Sequence, residues 1–173
     1  YRRALEIDPT TPKVNDALGL FHARRGRLDQ AQVHFEREVG INPGYPEGHN
    51  HLGLILLQRG DPAAARPRFE KAVALAPDHA DAHHNLGIAF KRLGEPGQAV
   101  SHYRRAIDLK PDFAEAMINL GTLHLQRNEY HDAEVQFREV LRYQPNSVAA
   151  RQGLAKIEAL KGSGPGGPGG QNR

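Results

Sequence analysis

Apolar residues recur along this chain at the three- and four-residue steps of an α-helix, in stripes that stop and restart at a fixed interval. From about Ala80 to Leu93, the residues Ala82, Leu86, Phe90 and Leu93 mark one face of a predicted helix. Gly94 ends it, because glycine takes the left-handed conformation that a helix terminus often needs. Pro96 suits the first turn of a second helix, where a missing N–H costs nothing. Ala99, Tyr103, Ala106 and Ile107 form that helix's stripe, and Pro111 forbids its continuation. The pattern predicts a helical hairpin.

The hairpin repeats. Pro9, Pro43, Pro77, Pro111 and Pro145 stand 34 residues apart. In phase with them are Leu18, Leu52, Leu86, Leu120 and Leu154, each followed by a small residue (Gly19, Gly53, Gly87, Gly121, Ala155). Ala31, Ala65, Ala99 and Ala133 keep the same step, as do Tyr1, Phe35, Phe69, Tyr103 and Phe137. A period this regular means one supersecondary unit stacked on copies of itself. The register gives whole repeats at 12–45, 46–79, 80–113 and 114–147, a partial repeat at 1–11 and a capping helix at 148–161. Residues 162–173, rich in Gly and Pro, offer almost nothing to bury and are expected to be a disordered tail.

Leu-Gly in the first helix, Ala and an aromatic in the second, and a closing Pro resemble the tetratricopeptide repeat over residues 1 to about 161. The resemblance implies an all-α solenoid of about nine antiparallel helices, with hairpins coiling into a right-handed superhelix. It also implies a non-catalytic scaffold that binds a peptide segment or a partner's helix in a concave groove lined by the first helices. A second reading is the substrate-recruiting arm of a larger enzyme, such as a glycosyltransferase of the O-GlcNAc transferase type. The chain opens at Tyr1 inside a helical register, so it reads as part of a longer array whose uncapped first end could self-associate.

Carrying the groove over place by place gives Lys13, Asp16, Leu20, Ala23 and Arg24 in the first repeat. The second offers Glu47, Asn50, His51, Leu54, Leu57 and Gln58, and the third Asp81, His84, Asn85, Ile88, Lys91 and Arg92. The fourth offers Glu115, Ile118, Asn119, Thr122, Leu125 and Gln126. Leu20, Leu54, Ile88 and Thr122 would form a mainly apolar floor. Glu47, Asp81 and Glu115 would form an acidic edge, with Arg24, Lys91 and Arg92 toward the opposite ends. Much of that polarity also follows from helix dipoles, which favour acids at N-termini and bases at C-termini. Asn85 and Asn119 are equivalent, and an amide can pair with any peptide backbone. A similar asparagine ladder lines the O-GlcNAc transferase superhelix, although here the upstream places hold His51 and Ala17. The carboxylate clamp of heat-shock co-chaperones is disfavoured: only Asn85 matches it, and acids sit where it needs a cation.

Composition narrows the picture little further. The net charge of +3 is spread along the chain without like-charge blocks, which disfavours nucleic acid as the main partner. There are no cysteines, and the longest nearly unbroken apolar run, Leu52 to Leu57, is far short of the ~20 residues a membrane helix requires. No compartment follows from this, though the cytoplasm is favoured over secretion. Three serines, no thiol and no phosphate-cradling loop give an enzyme little to work with. No cofactor is expected. Nor is a metal: His49 and His51 point to opposite faces, His83 and His84 diverge by about 100°, and His79 lies in a turn. Two irregularities remain. Asn128 replaces the turn glycine, which asparagine tolerates. Pro67 falls inside a predicted second helix, where it should remove one hydrogen bond and bend the helix locally, so that Pro67→Ala raises the melting temperature.

Overall fold

The computed structural model describes residues 13–162, which form helices joined by short turns and contain no strand. The partial repeat expected at 1–11 and all but the first residue of the tail expected at 162–173 lie outside the described residues, and Gly162 belongs to the last described helix. The helices are α1 (Val14–Ala23), α2 (Leu28–Ile41), α3 (Pro46–Gln58), α4 (Pro62–Leu75), α5 (Ala80–Arg92), α6 (Pro96–Leu109), α7 (Ala114–Gln126), α8 (Tyr130–Tyr143) and α9 (Val148–Gly162). They divide into two compact bodies, Tyr1–Leu109 with α1 to α6 and Lys110–Arg173 with α7 to α9.

In the first body, α1 and α2, α3 and α4, and α5 and α6 pair as hairpins, while α2 also packs on α3 and α4 on α5. In the second body α7 pairs with α8, and α9 packs against both. The turns follow the sequence. Gly94 stands at φ 77°, and Glu95 N–H reaches back to the Phe90 carbonyl at 2.9 Å. Asn128 takes the same left-handed place at φ 60°, with Glu129 N–H on the His124 carbonyl at 2.9 Å. These bonds satisfy carbonyls that a helix end leaves without partners. Proline opens α3, α4 and α6. Pro67 is exposed, and α4 runs through it without interruption from Pro62 to Leu75.

The in-phase glycines sit where the two helices of a hairpin meet. A Cβ on Gly53 would lie 2.6 Å from the Phe69 ring, one on Gly87 2.7 Å from Tyr103, and one on Gly121 3.0 Å from Phe137. The second-helix aromatic is therefore the nearest group that each glycine admits, and at Gly87 the Ala99 carbonyl follows at 3.3 Å. Phe35, Phe69, Tyr103 and Phe137 are all buried as a result.

The last described helix, α9, is anchored by Ala150 and Ile157, while Leu160 is exposed. Gly153 meets the opposite edge of the Phe137 ring, where a Cβ would lie only 2.5 Å away. Lys161 Nζ meets Glu134 Oε2 at 2.8 Å and, by that hydrogen bond first, holds the carboxyl below its ordinary range. No described helix is long and apolar enough to cross a membrane.

Candidate interaction face

In the first body α1 touches α3, and α3 touches α5, so the three first helices share a face. Three polar links run along it, each joining residues 35 apart. His51 Nδ1 lies 2.7 Å from Asp16 Oδ1. Asn85 Nδ2 donates to Asn50 Oδ1 at 2.9 Å. Arg92 Nη1 donates to the Leu57 carbonyl at 2.7 Å.

These links change the standing of several predicted groove residues. Asp16, Asn50 and Asn85 are buried, and their side chains hold neighbouring helices together. Asp16 also raises its surroundings electrostatically. Burial first, and then the carboxylates of Asp16, Glu47 and Glu38, push the Tyr45 phenol up to about 12. His51 lies against the Phe35 ring, 5.4 Å between centroids, and His84 against Tyr103 at 5.8 Å.

The apolar floor is partly open. Leu20, Leu54 and Ile88 are half-buried, one on each first helix of this body. Leu20 and Arg24 line a surface depression with Ala17, Phe21 and Arg25. Lys13 is exposed with its ammonium 5.1 Å from the centre of the Tyr45 ring. Glu47 is half-buried and Asp81 exposed near their helix starts. Arg24, Gln58 and Arg92 are exposed at the other ends, and Lys91 is half-buried.

On α7, in the second body, Glu115 and Gln126 are exposed, while Ile118, Asn119 and Thr122 are half-buried. The Thr122 hydroxyl donates to the Ile118 carbonyl of its own helix at 2.7 Å. Leu125 is buried.

Two features were not anticipated from the sequence. Glu38 is wholly buried, and its carboxylate accepts from Lys13 N–H at 3.0 Å, Asp16 N–H at 3.3 Å and Asn42 Nδ2 at 2.7 Å. It thereby serves the start of α1, which has no side-chain cap of its own. The second is a cluster in the second body. One ligand-capable atom each of His124, Glu129 and Asp132 lie within 4.8 Å of one another.

Comparison with known proteins agrees with this architecture. Tetratricopeptide repeat profiles match residues 46–112, 91–157 and 17–37. No curated protein gives a significant sequence match. Among solved structures, MamA superposes with a TM-score of 0.78 at 24% identity, covering 87% of this chain and 82% of that one. YrrB, described as a tetratricopeptide repeat protein with an unusual peptide-binding site, gives 0.75 at 22% identity over 90% of this chain and 79% of its own. A tetratricopeptide repeat protein from Parabacteroides merdae ATCC 43184 gives 0.74 at 23% identity, over 86% of this chain and 60% of that one. At these identities the likeness is one of fold. With its period, its glycine-on-aromatic hairpins and profile matches from residue 17 to residue 157, the chain belongs to the tetratricopeptide repeat family.

Proposed function

We propose that the chain is a protein-interaction scaffold whose first-helix face in the first body binds an extended peptide segment. The observation that carries this reading is the arrangement of Leu20, Leu54 and Ile88, half-buried apolar groups presented on three linked helices. Half-exposed apolar residues in a row form a surface that gains by covering. The buried links between Asp16 and His51 and between Asn50 and Asn85 hold the helices beneath it in register. A surface held in place before binding loses less entropy when it binds.

Charge then orients the ligand. Glu47 and Asp81 near the helix starts favour a basic end, and Arg24, Lys91 and Arg92 favour an acidic one. An amide carries two donors and two acceptor lone pairs, so the bond between Asn50 and Asn85 leaves capacity for a peptide backbone. The expectation for Asn85 is accordingly narrower: it contributes through what its link to Asn50 does not use.

The test is selection of displayed random peptides on the full chain, followed by anisotropy titrations with the selected sequences. Leu54→Asp and Ile88→Asp are expected to weaken binding at least about tenfold while circular dichroism stays unchanged. Val33→Asp, at an exposed position on α2, is expected to bind normally. Failure to enrich any sequence, or binding indifferent to both face variants, would overturn the reading.

A further inference from the structure

We infer that His124, Glu129 and Asp132 form a site for a divalent first-row transition ion, zinc foremost, at the turn between α7 and α8. The inference is independent of the peptide-binding face, since it rests on three side chains of the second body.

The register shows how unusual the combination is. His124 occupies the place of Leu56 and Phe90 in the second and third repeats and of His22 in the first. Glu129 occupies that of Arg27, Asp61 and Glu95, and Asp132 that of Gln30, Ala64 and Gln98. Packing alone is thus served by an aliphatic or aromatic side chain at position 124. Only the fourth hairpin puts an imidazole and two carboxylates on the same turn.

The geometry is that of a nearly assembled ligand set. His124 is 3% exposed, and its Nδ1 lies 2.5 Å from Glu129 Oε2. Asp132, exposed in the first turn of α8, brings a carboxylate oxygen within 4.8 Å of both. The other oxygen of Glu129 is held by Arg127 Nη2 at 2.9 Å. A ligating carboxylate is commonly fixed in this way by an outer partner, which here leaves Oε2 as a single donor. The backbone between the ligands is fixed as well. Asn128 is in the left-handed conformation, and the Glu129 N–H is bonded to the carbonyl of His124 itself.

Ligand chemistry selects the ion. Calcium and magnesium prefer all-oxygen sites, whereas an imidazole suits zinc, nickel or copper. Without metal, the N–H at His124 Nδ1 donates to Glu129 Oε2. An ion would replace that proton, with Nδ1 and Oε2 separating to about 3.3 Å across a tetrahedral centre. Asp132 would then turn in as the third ligand, with water in the fourth position. An imidazole that ligates through Nδ1 carries its proton on Nε2.

The test is calorimetric titration of the chelator-treated full chain with zinc chloride, beside thermal melts with and without zinc. One ion is expected to bind and to raise the melting temperature. Asp132→Asn, at an exposed position, should leave the metal-free melt unchanged and weaken zinc at least about tenfold. His124→Leu, the residue of the second repeat, should fold and lose the zinc-dependent shift. His131→Gln, an exposed neighbour, should retain it. Zinc without effect on the wild type overturns the assignment, as does equal zinc binding by Asp132→Asn and His124→Leu, which would leave His124 and Glu129 an ion pair only.

Discussion

Within the first body, the seam inside each hairpin and the face along its first helices obey different rules. At the seam, Gly19 meets Phe35, Gly53 meets Phe69 and Gly87 meets Tyr103, three times with the same close approach. Along the face, one register position is bridged by Asp16 and His51 at the first junction and by Asn50 and Asn85 at the second. Repetition has been kept where helices must approach within a ring's thickness. Variation has accumulated where side chains meet across a partly open surface. The seam therefore carries the fold, and the face carries what differs from one repeat of this chain to the next.

The contrast predicts its largest effect at a seam glycine. Gly53→Leu would drive a branched side chain into a fully buried Phe69 and should cost roughly 3 kcal/mol or more by overpacking. Even Gly53→Ala places a Cβ at 2.6 Å from that ring. Gly40, in α2, is the control, because a Cβ there meets nothing within 4 Å. Gly40→Ala should gain about 1 kcal/mol from helix propensity. Urea denaturation of the pair measures both; a Gly53→Ala that also gains stability would show that the seam tolerates a side chain.

The next effect comes from the one charged residue in the buried row of second-helix positions. Ala72, Ala106 and Val140 fill that row in the later repeats, and Glu38 fills it in the first. Glu38→Ala makes the first hairpin like the others but strips acceptors from Lys13 N–H, Asp16 N–H and Asn42. Leaving such donors without partners should cost about 2–3 kcal/mol. Amide exchange localises the loss, which should appear first in α1. If Glu38→Ala melts like the wild type, the carboxylate contributes nothing to the start of α1.

How much of this was legible in the sequence depends on whether the period repeats it. The glycines, the aromatics and the turns recur every 34 residues, with Asn128 standing at the place of Gly26, Gly60 and Gly94, so one repeat explains the rest. The partner of each glycine was less legible, because Ala31 and Phe35 are equally in phase and only packing shows which one the glycine admits. The links on the face run over 35 residues, one past the period. Aligning equivalent residues puts Asn85 beside His51 and hides its bond to Asn50. Glu38 was invisible for the opposite reason, since a single charged residue in a helix reads as surface. His124, Glu129 and Asp132 are five and three residues apart across a turn, a spacing that no single-helix periodicity gathers.

A smaller effect tests the face. A double-mutant cycle with Asn50→Ala and Asn85→Ala should give a coupling of about 1 kcal/mol, the worth of one hydrogen bond. Coupling near zero in chemical denaturation would mean that the two amides stabilise the junction separately, each through other contacts.

The smallest expected effect is a pH dependence inside one hairpin. His83 Nδ1 lies 3.2 Å from His102 Nδ1, and His83 Nε2 lies 3.1 Å from the Pro77 carbonyl. A carbonyl only accepts, so His83 carries its proton on Nε2 and presents a lone pair at Nδ1, to which His102 donates. Protonating both rings would set two N–H groups against each other. Burial lowers the proton affinity of both. For His83 the Pro77 bond opposes that shift while Arg105 and His79 add to it, and for His102 the neighbouring His83 adds to it. With the folded values below the ordinary 6.5, the unfolded chain holds more protons in the interval between them. Stability from this pair is therefore complete above the ordinary value and lost as pH falls from it through the lowered folded values. His49, lowered chiefly by burial, acts in the same direction. Melting temperature should fall as pH drops below the ordinary 6.5, and His102→Gln, the residue of the fourth repeat, should flatten part of that fall. An undiminished fall in the variant would assign the acid sensitivity to other groups and remove the pair from the account of this hairpin.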